Sequence, residues 1–251
     1  MFIPISDDNP TLRFPLMTVL LLLAIGAVWI LIQSAGTDPR QLAGSVCRLG
    51  LIPLELTHRG ELDTSVLLGA RLRCKIGDDP LNLYTPLTSM FLHGSWSHVL
   101  GNCLFLWVFG NNVEDSMGRG RFLIFYLLCG LAAAAAQIAA SPSSPVPMVG
   151  ASGAISGVLA AYLFLYPRVR VLTLVGWFLI SLPAYLVLLS WIALQVMNAY
   201  LARLSPEASG VAVWAHIGGF AAGALFVHLF RNRALVDQRT VGRHRLHPDH
   251  P

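Results

Sequence analysis

The sequence predicts an all-α polytopic membrane protein of six transmembrane helices, with a long extracytoplasmic loop between helices 1 and 2. Three observations predict it. Only 12% of the residues are charged, whereas a soluble domain carries about a quarter. The mean hydropathy is +0.63. Uncharged apolar runs, several of them long enough to cross ~30 Å of hydrocarbon, recur along the chain. The net charge of +4 needs no nucleic acid to explain it, because the basic residues follow from membrane topology. One membrane domain, residues 14–229, lies between an N-terminal cytoplasmic segment, 1–13, and a basic tail, 230–251. No A-x-A-like site follows the first apolar run, so no cleavable signal peptide is expected.

Helix 1 is the uncharged run Phe14 to Ile32. Residues 33–93 mix Gly, Pro and both charge signs, which excludes a span and predicts an ordered loop region with short helices. Helix 2 runs from about Ser95 to Phe109, and GNNVEDSMGRGR after it reads as a glycine-punctuated turn. Helix 3 is Phe122 to Ala140. Helix 4 is about Met148 to Tyr166, closed by PRVR. Pro183 fits the first turn of a new helix, which places helix 5 at Pro183 to Leu201 and leaves 171–182 as a short apolar interfacial segment. Helix 6 is Val211 to Leu229, and the polar tail after it is expected to be disordered.

Six spans put both termini on one side, and arginine decides which. Arg13, Arg119, Arg121, Arg168, Arg170 and the arginines from Arg231 onward share the termini's side. The short loops opposite hold only Arg203. The 33–93 loop carries the other six basic residues, but long segments translocate largely regardless of charge. Both termini are therefore expected in the cytoplasm of a protein integral to the plasma membrane. Cys47 and Cys74 then share an extracytoplasmic loop, where disulfides persist, and are a candidate bridge. Cys103 and Cys129 lie in helices and are expected to pack as small apolar residues.

Chemistry concentrates around VGASGAISGVLA, Val149 to Ala160. The proline-rich SPSSPVP closely precedes it, so Ser152 lies where a buried helix begins, beside free N–H groups. Helix 2 carries His98 and Asn102, four apart and on one face. Helix 6 carries His216. Helices 2, 4 and 6 run in the same direction, and each holds its polar residue within about two turns of the outer end, or ~10 Å. Polar residues inside a membrane are costly and tend to be functional. Ser152 and His216 supply a nucleophile and a general base. His98, Asn102 and the Ser152 N–H supply donors for a developing oxyanion. Glycines flank Ser152 and His216, Gly150, Gly153 and Gly157 on helix 4 and Gly218, Gly219 and Gly223 on helix 6, and close contact between these helices would bring hydroxyl and imidazole within reach. No acidic residue lies at that depth, which points to a dyad rather than a triad. No metal site and no cofactor are expected.

With these residues in place, the sequence resembles the rhomboid family of intramembrane serine proteases. HGSWSHVLGN, GNNVEDSMGRGRFLIFYLLCG, GASGAISG and AHIGGFAAG carry the resemblance, which covers nearly all of Phe14 to Leu229. It implies Ser152 as nucleophile, His216 as base, and His98 and Asn102 as oxyanion stabilisers. It also implies a structural role for Glu114. Two departures stand out. Some relatives have a tyrosine that stacks on the catalytic histidine where this chain has Ser156, and the 33–93 loop lacks the tryptophan–arginine pair of many rhomboids. The expected activity is cleavage of single-span membrane proteins, within the lipid bilayer, near their extracytoplasmic end. The alternative is a non-proteolytic binder or chaperone on the same fold, which loss of Ser152 or His216 would have signalled. A transporter path should continue toward midplane, often with broken helices or inverted repeats, and the sequence has neither.

Overall fold

The computed structural model describes residues 2–58, 64–68, 72–77, 80–204 and 212–236. Most of them are helical. Strand β1 is Phe2–Asp7. Helix α1 is Leu16–Ala27 and runs on through a π-turn, Val28–Ile32. Between it and the next long helix lie α2 (Pro39–Leu49), α3 (Pro53–Thr57), the hairpin β2 (Thr64–Leu68) and β3 (Leu72–Ile76), and α4 (Thr85–Thr88). Asp38 caps α2 by accepting from Arg40 N at 2.8 Å, and Pro39 sits in its first turn, where a missing N–H costs nothing. A disulfide joins Cys47 of α2 to Cys74 of β3, with Cα atoms 5.3 Å apart.

Helix α5 (Trp96–Phe105) continues through a π-turn, Leu106–Gly110, into α6 (Asn111–Met117). Then come α7 (Arg119–Ala140), α8 (Ser152–Leu165), β4 (Arg170–Val175), β5 (Phe178–Pro183), α9 (Ala184–Leu204) and α10 (Val213–Phe230). Helices α7, α9 and α10 are long and apolar enough to cross a membrane, and residues 16–32 and 152–165 form shorter apolar helices. Helix α8 is the core: every residue from Gly153 to Tyr162 is buried. A helix apolar all round fits such a position. Helix α9 is peripheral, with Leu186, Leu189, Val196 and Met197 exposed.

The expectation of an all-α chain is corrected in two places. Strands β1, β4 and β5 form an antiparallel sheet in the order β1-β4-β5, with Phe2 opposite Val175 and Asp7 opposite Val171. The N-terminal segment and the supposed interfacial segment 171–182 thus satisfy each other's backbone groups. The apolar run VLTLVGWFLISL turns at Gly176, whose φ of +61° suits a hairpin. Trp177, Phe178 and Leu179 at its tip are exposed. The second sheet is the β2–β3 hairpin inside the 33–93 segment.

Helix boundaries also move. The supposed turn after Phe109 is helical to Met117, and the chain breaks only at Gly118 (φ +84°). The polar run Asn112, Glu114, Asp115 and Ser116 is fully buried because each residue finds a partner. Glu114 accepts from Met17 N at 3.0 Å, Thr18 N at 2.8 Å and Thr18 Oγ1 at 2.8 Å. It therefore caps α1, which has no cap of its own. Asp115 pairs with Arg13 at 2.8 Å and accepts from Leu12 N. Asp7 accepts from Asn112 Nδ2 and from the Tyr162 hydroxyl. Helix 4 begins at Ser152 rather than Met148, because Met148 pairs with Leu51 and Gly150 has φ +124°. The tail from residue 237 and Val211 lie outside the described residues.

The Glu114 contacts yield a stability prediction. Glu114→Ala strands three donors at the start of α1, and each buried donor left unsatisfied costs about 1–3 kcal/mol. A lower midpoint of thermal unfolding in detergent is the expected outcome.

Candidate active site

Ser152 is the first residue of α8, so its side chain emerges where the helix leaves backbone N–H groups unpaired. Its Oγ lies 2.7 Å from Nε2 of His216, on the first turn of α10. Two elements far apart in sequence meet here because α8 and α10 touch through glycine. A Cβ at Gly219 would collide with the carbonyl of Gly153, and one at Gly223 would collide with the backbone of Gly157. A Cβ at Gly157 would lie 3.1 Å from the carbonyl oxygen of Gly219. The pairs Gly153–Gly219 and Gly157–Gly223 advance by one turn together, so the helices are parallel. Gly218, beside Gly219, faces Ala136 and the Ala132 carbonyl of α7.

His98 and Asn102 lie on α5, whose N-terminus is capped by Ser95 accepting from His98 N at 3.2 Å. Both border the loop before Ser152. A Cβ on Gly150 would stand 2.7 Å from His98 Nε2 and 3.6 Å from Asn102 Nδ2. The Gly150 N–H donates to Ser89 O at 2.9 Å, which pins the loop. Asn102 Nδ2 donates to His93 Nε2 at 2.8 Å. His93 is fully buried and is held at both backbone groups by Gln33, with both hydrogen bonds at 2.8 Å. The His93 and His98 rings meet edge to face at 4.9 Å. A cavity of about 840 Å³ is lined by Ser152, His216, His98, Asn102, Trp191 and Gln195. Among the described residues no group of three or more His, Cys, Asp or Glu is placed to hold a metal.

Several residues escaped the sequence reading. Gln195 on α9 places its carbonyl oxygen 2.9 Å from Nδ1 of His216. Trp191, one turn earlier, has its ring 5.7 Å from the His216 ring. It stands beside the imidazole in a chain where Ser156 cannot stack: the Ser156 hydroxyl turns back to Ser152 O at 2.6 Å. Gln195 carried a usable signal, since a glutamine within an apolar span is costly unless paired. Gln33 and His93 carried none, because their contact joins residues 60 apart in sequence. Glu114 is remote from this cavity and belongs to the cap of α1.

Comparison with known proteins agrees with this architecture. Residues 80–233 match the Rhomboid domain, and the chain belongs to the rhomboid family. It is 45% identical over 78 residues to the Rhomboid protease GluP of Bacillus subtilis, covering 31% of this chain and 15% of that protein. It is 30% identical over 159 residues to the mitochondrial RHOMBOID-like protein 12 of Arabidopsis thaliana, covering 57% and 45%. A third relative, the putative rhomboid protease YdcA of Bacillus subtilis, is 34% identical over 79 residues, covering 32% and 39%. The chain thus spans less than half the length of each of these three. Family and apolar helices together make it a multi-pass membrane protein.

The glycine contacts set a testable asymmetry. Gly219→Leu must push α10 off the Gly153 carbonyl, and overpacking costs about 1–3 kcal/mol. Reduced detergent stability is expected. Gly26→Ala on α1 meets nothing within 4 Å and should leave stability unchanged or slightly raised.

Proposed function

We propose that this chain is an intramembrane serine endopeptidase that cuts membrane-spanning segments of other proteins near their extracytoplasmic end. The observation that carries the reading is the 2.7 Å contact between Ser152 Oγ and His216 Nε2 on the wall of a cavity. The protease names of relatives such as GluP support it. In this reading His216 takes the Ser152 proton as Oγ attacks the scissile carbonyl carbon. The oxyanion is met by His98, Asn102 and the Ser152 N–H. His216 then passes the proton to the leaving amine. Water, activated by the same imidazole, frees the acyl group from Ser152. A substrate helix hides its carbonyls in its own hydrogen bonds, so it must unwind at the cut. Glycine or proline there, and small residues, favour cleavage.

The topology proposed with it has six spans and both termini in the cytoplasm. Besides the arginine distribution, the β1–β4 pairing supports it. Paired strands need one side of the membrane, and the helical stretches 16–32, 96–117, 119–140 and 152–165 that separate them are even in number. Helix α8 also supports a sunken site: fourteen residues rise ~21 Å, short of the ~30 Å hydrocarbon core. Ser152 then lies below the surface, reached by water through the cavity. A reporter fused after Leu229 should read as cytoplasmic, and an extracytoplasmic signal would refute the topology.

The decisive assay is cleavage of a single-span substrate in liposomes. Ser152→Ala should abolish it, and His216→Ala should do nearly the same, since a hydroxyl without a base is a weak nucleophile. Asn102→Ala should slow it by less, about 2.7–4 kcal/mol at most. A fluorophosphonate should label wild type and not Ser152→Ala. Cleavage by purified Ser152→Ala at the wild-type rate and site would sink the mechanism.

A further inference from the structure

We propose that Gln195 is a positioning residue for His216, acting as the third member of the site by fixing which imidazole nitrogen carries the proton. The inference rests on the protease reading and assigns a role on α9 within the same site.

Three observations converge on Gln195. Its side-chain carbonyl oxygen stands 2.9 Å from Nδ1 of His216, on the far side of the ring from Ser152. It is 8% exposed, while Leu194, Val196 and Met197 around it are 47%, 53% and 54% exposed. Helix α9 thus turns one amide inward from an otherwise apolar stretch, and burying an amide is unfavourable unless it is bonded. Trp191 lies one turn away against the same imidazole, with the ring planes inclined by 47°. Helix α9 therefore holds His216 by an edge contact at Nδ1 and by a ring contact.

A neutral imidazole has one N–H to place, and the partner at one nitrogen decides the state of the other. A carbonyl oxygen accepts and cannot donate. Bonded to it, Nδ1 carries the proton and Nε2 keeps its lone pair, the form able to take a proton from Ser152. The opposite tautomer would donate from Nε2 to Oγ and could not act as base. In soluble serine proteases a buried carboxylate performs this task. An amide performs it without placing a charge at membrane depth, where a carboxylate is expensive.

The test uses the full chain in liposomes with 15N-labelled histidine, the His216 signals being assigned by their loss in His216→Ala. Wild type should show the proton on Nδ1, and a proton on Nε2 would overturn the proposal without any variant. Gln195→Met, close in shape but with only a weakly accepting thioether in place of the carbonyl, should raise the population protonated on Nε2. Its kcat should fall by about 10–100-fold with KM little changed, less than the ~10²–10⁴-fold worth of a general base. Gln195→Glu, which restores the acceptor, should recover the Nδ1-protonated form and most of kcat. Wild-type kcat and tautomer in Gln195→Met would overturn the role of Gln195 and leave the protease reading standing. If Ser152→Ala still cleaves, the protease reading fails, and the tautomer measurement still decides whether Gln195 orients His216.

Discussion

The backbone contact between α8 and α10 is the constraint on which the rest depends. Gly219 meets the Gly153 carbonyl and Gly223 meets the Gly157 backbone. Lipid tails are as apolar as side chains, so helices in a membrane gain little from hydrophobic burial against each other and rely on close packing. Glycine removes the atoms that would hold the two axes apart. The distance between a serine on one helix and a histidine on the other is then set by backbone, which is stiff, rather than by rotamers. A hydrogen bond tolerates only a few tenths of an ångström before it weakens. Side-chain packing alone would leave that contact to the accidents of two flexible surfaces.

Polar groups are arranged around this contact in two tiers, at opposite ends of α8. At the Ser152 end, His93, Asn102 and Gln33 form a chain in which the backbone of His93 is clasped by an amide. At the other end, Asp7, Asn112, Tyr162, Glu114 and Thr18 tie β1, α1 and α6 to the core. Unpaired polar groups are heavily penalised in such surroundings, so each network specifies one packing of its helices. The first tier orients groups that face a cavity. The second ties β1, α1 and α6, which carry no groups of the site, to the far end of α8 through Tyr162.

The helices and the four central polar residues were legible because they obey local rules. Apolar runs reveal helices, and Ser152, His98, Asn102 and His216 are polar residues that interrupt them. The glycine spacing on α8 and α10 announced a close approach, and Gly218 beside it packs on α7. The sheet was not legible. Residues 2–7 look like a polar leader until their partner at 170–175 is known, and 171–182 has the hydropathy of a helix as much as of a strand. The helical reach of α6 was hidden for a related reason. Asn112, Glu114 and Asp115 look like turn residues until β1 supplies an acceptor, α1 supplies donors and Arg13 between them supplies a cation. Trp191 and Gln195 sit on a helix whose apolar majority drew attention to lipid rather than to the imidazole it borders.

The β1–β4 ladder has a consequence for how the chain is made. Strand β1 is made before α1, but its partner is made only after α8, and until then its backbone groups have water alone to bond. The sheet is therefore a late closure of long sequence separation, the kind of contact that forms slowly because a long loop must be gathered first. Once closed, it holds residues 2–7 against the link between α8 and α9. Proteolytic access to residues 2–7 thus reports whether the bundle has finished assembling, independently of any chemistry at Ser152.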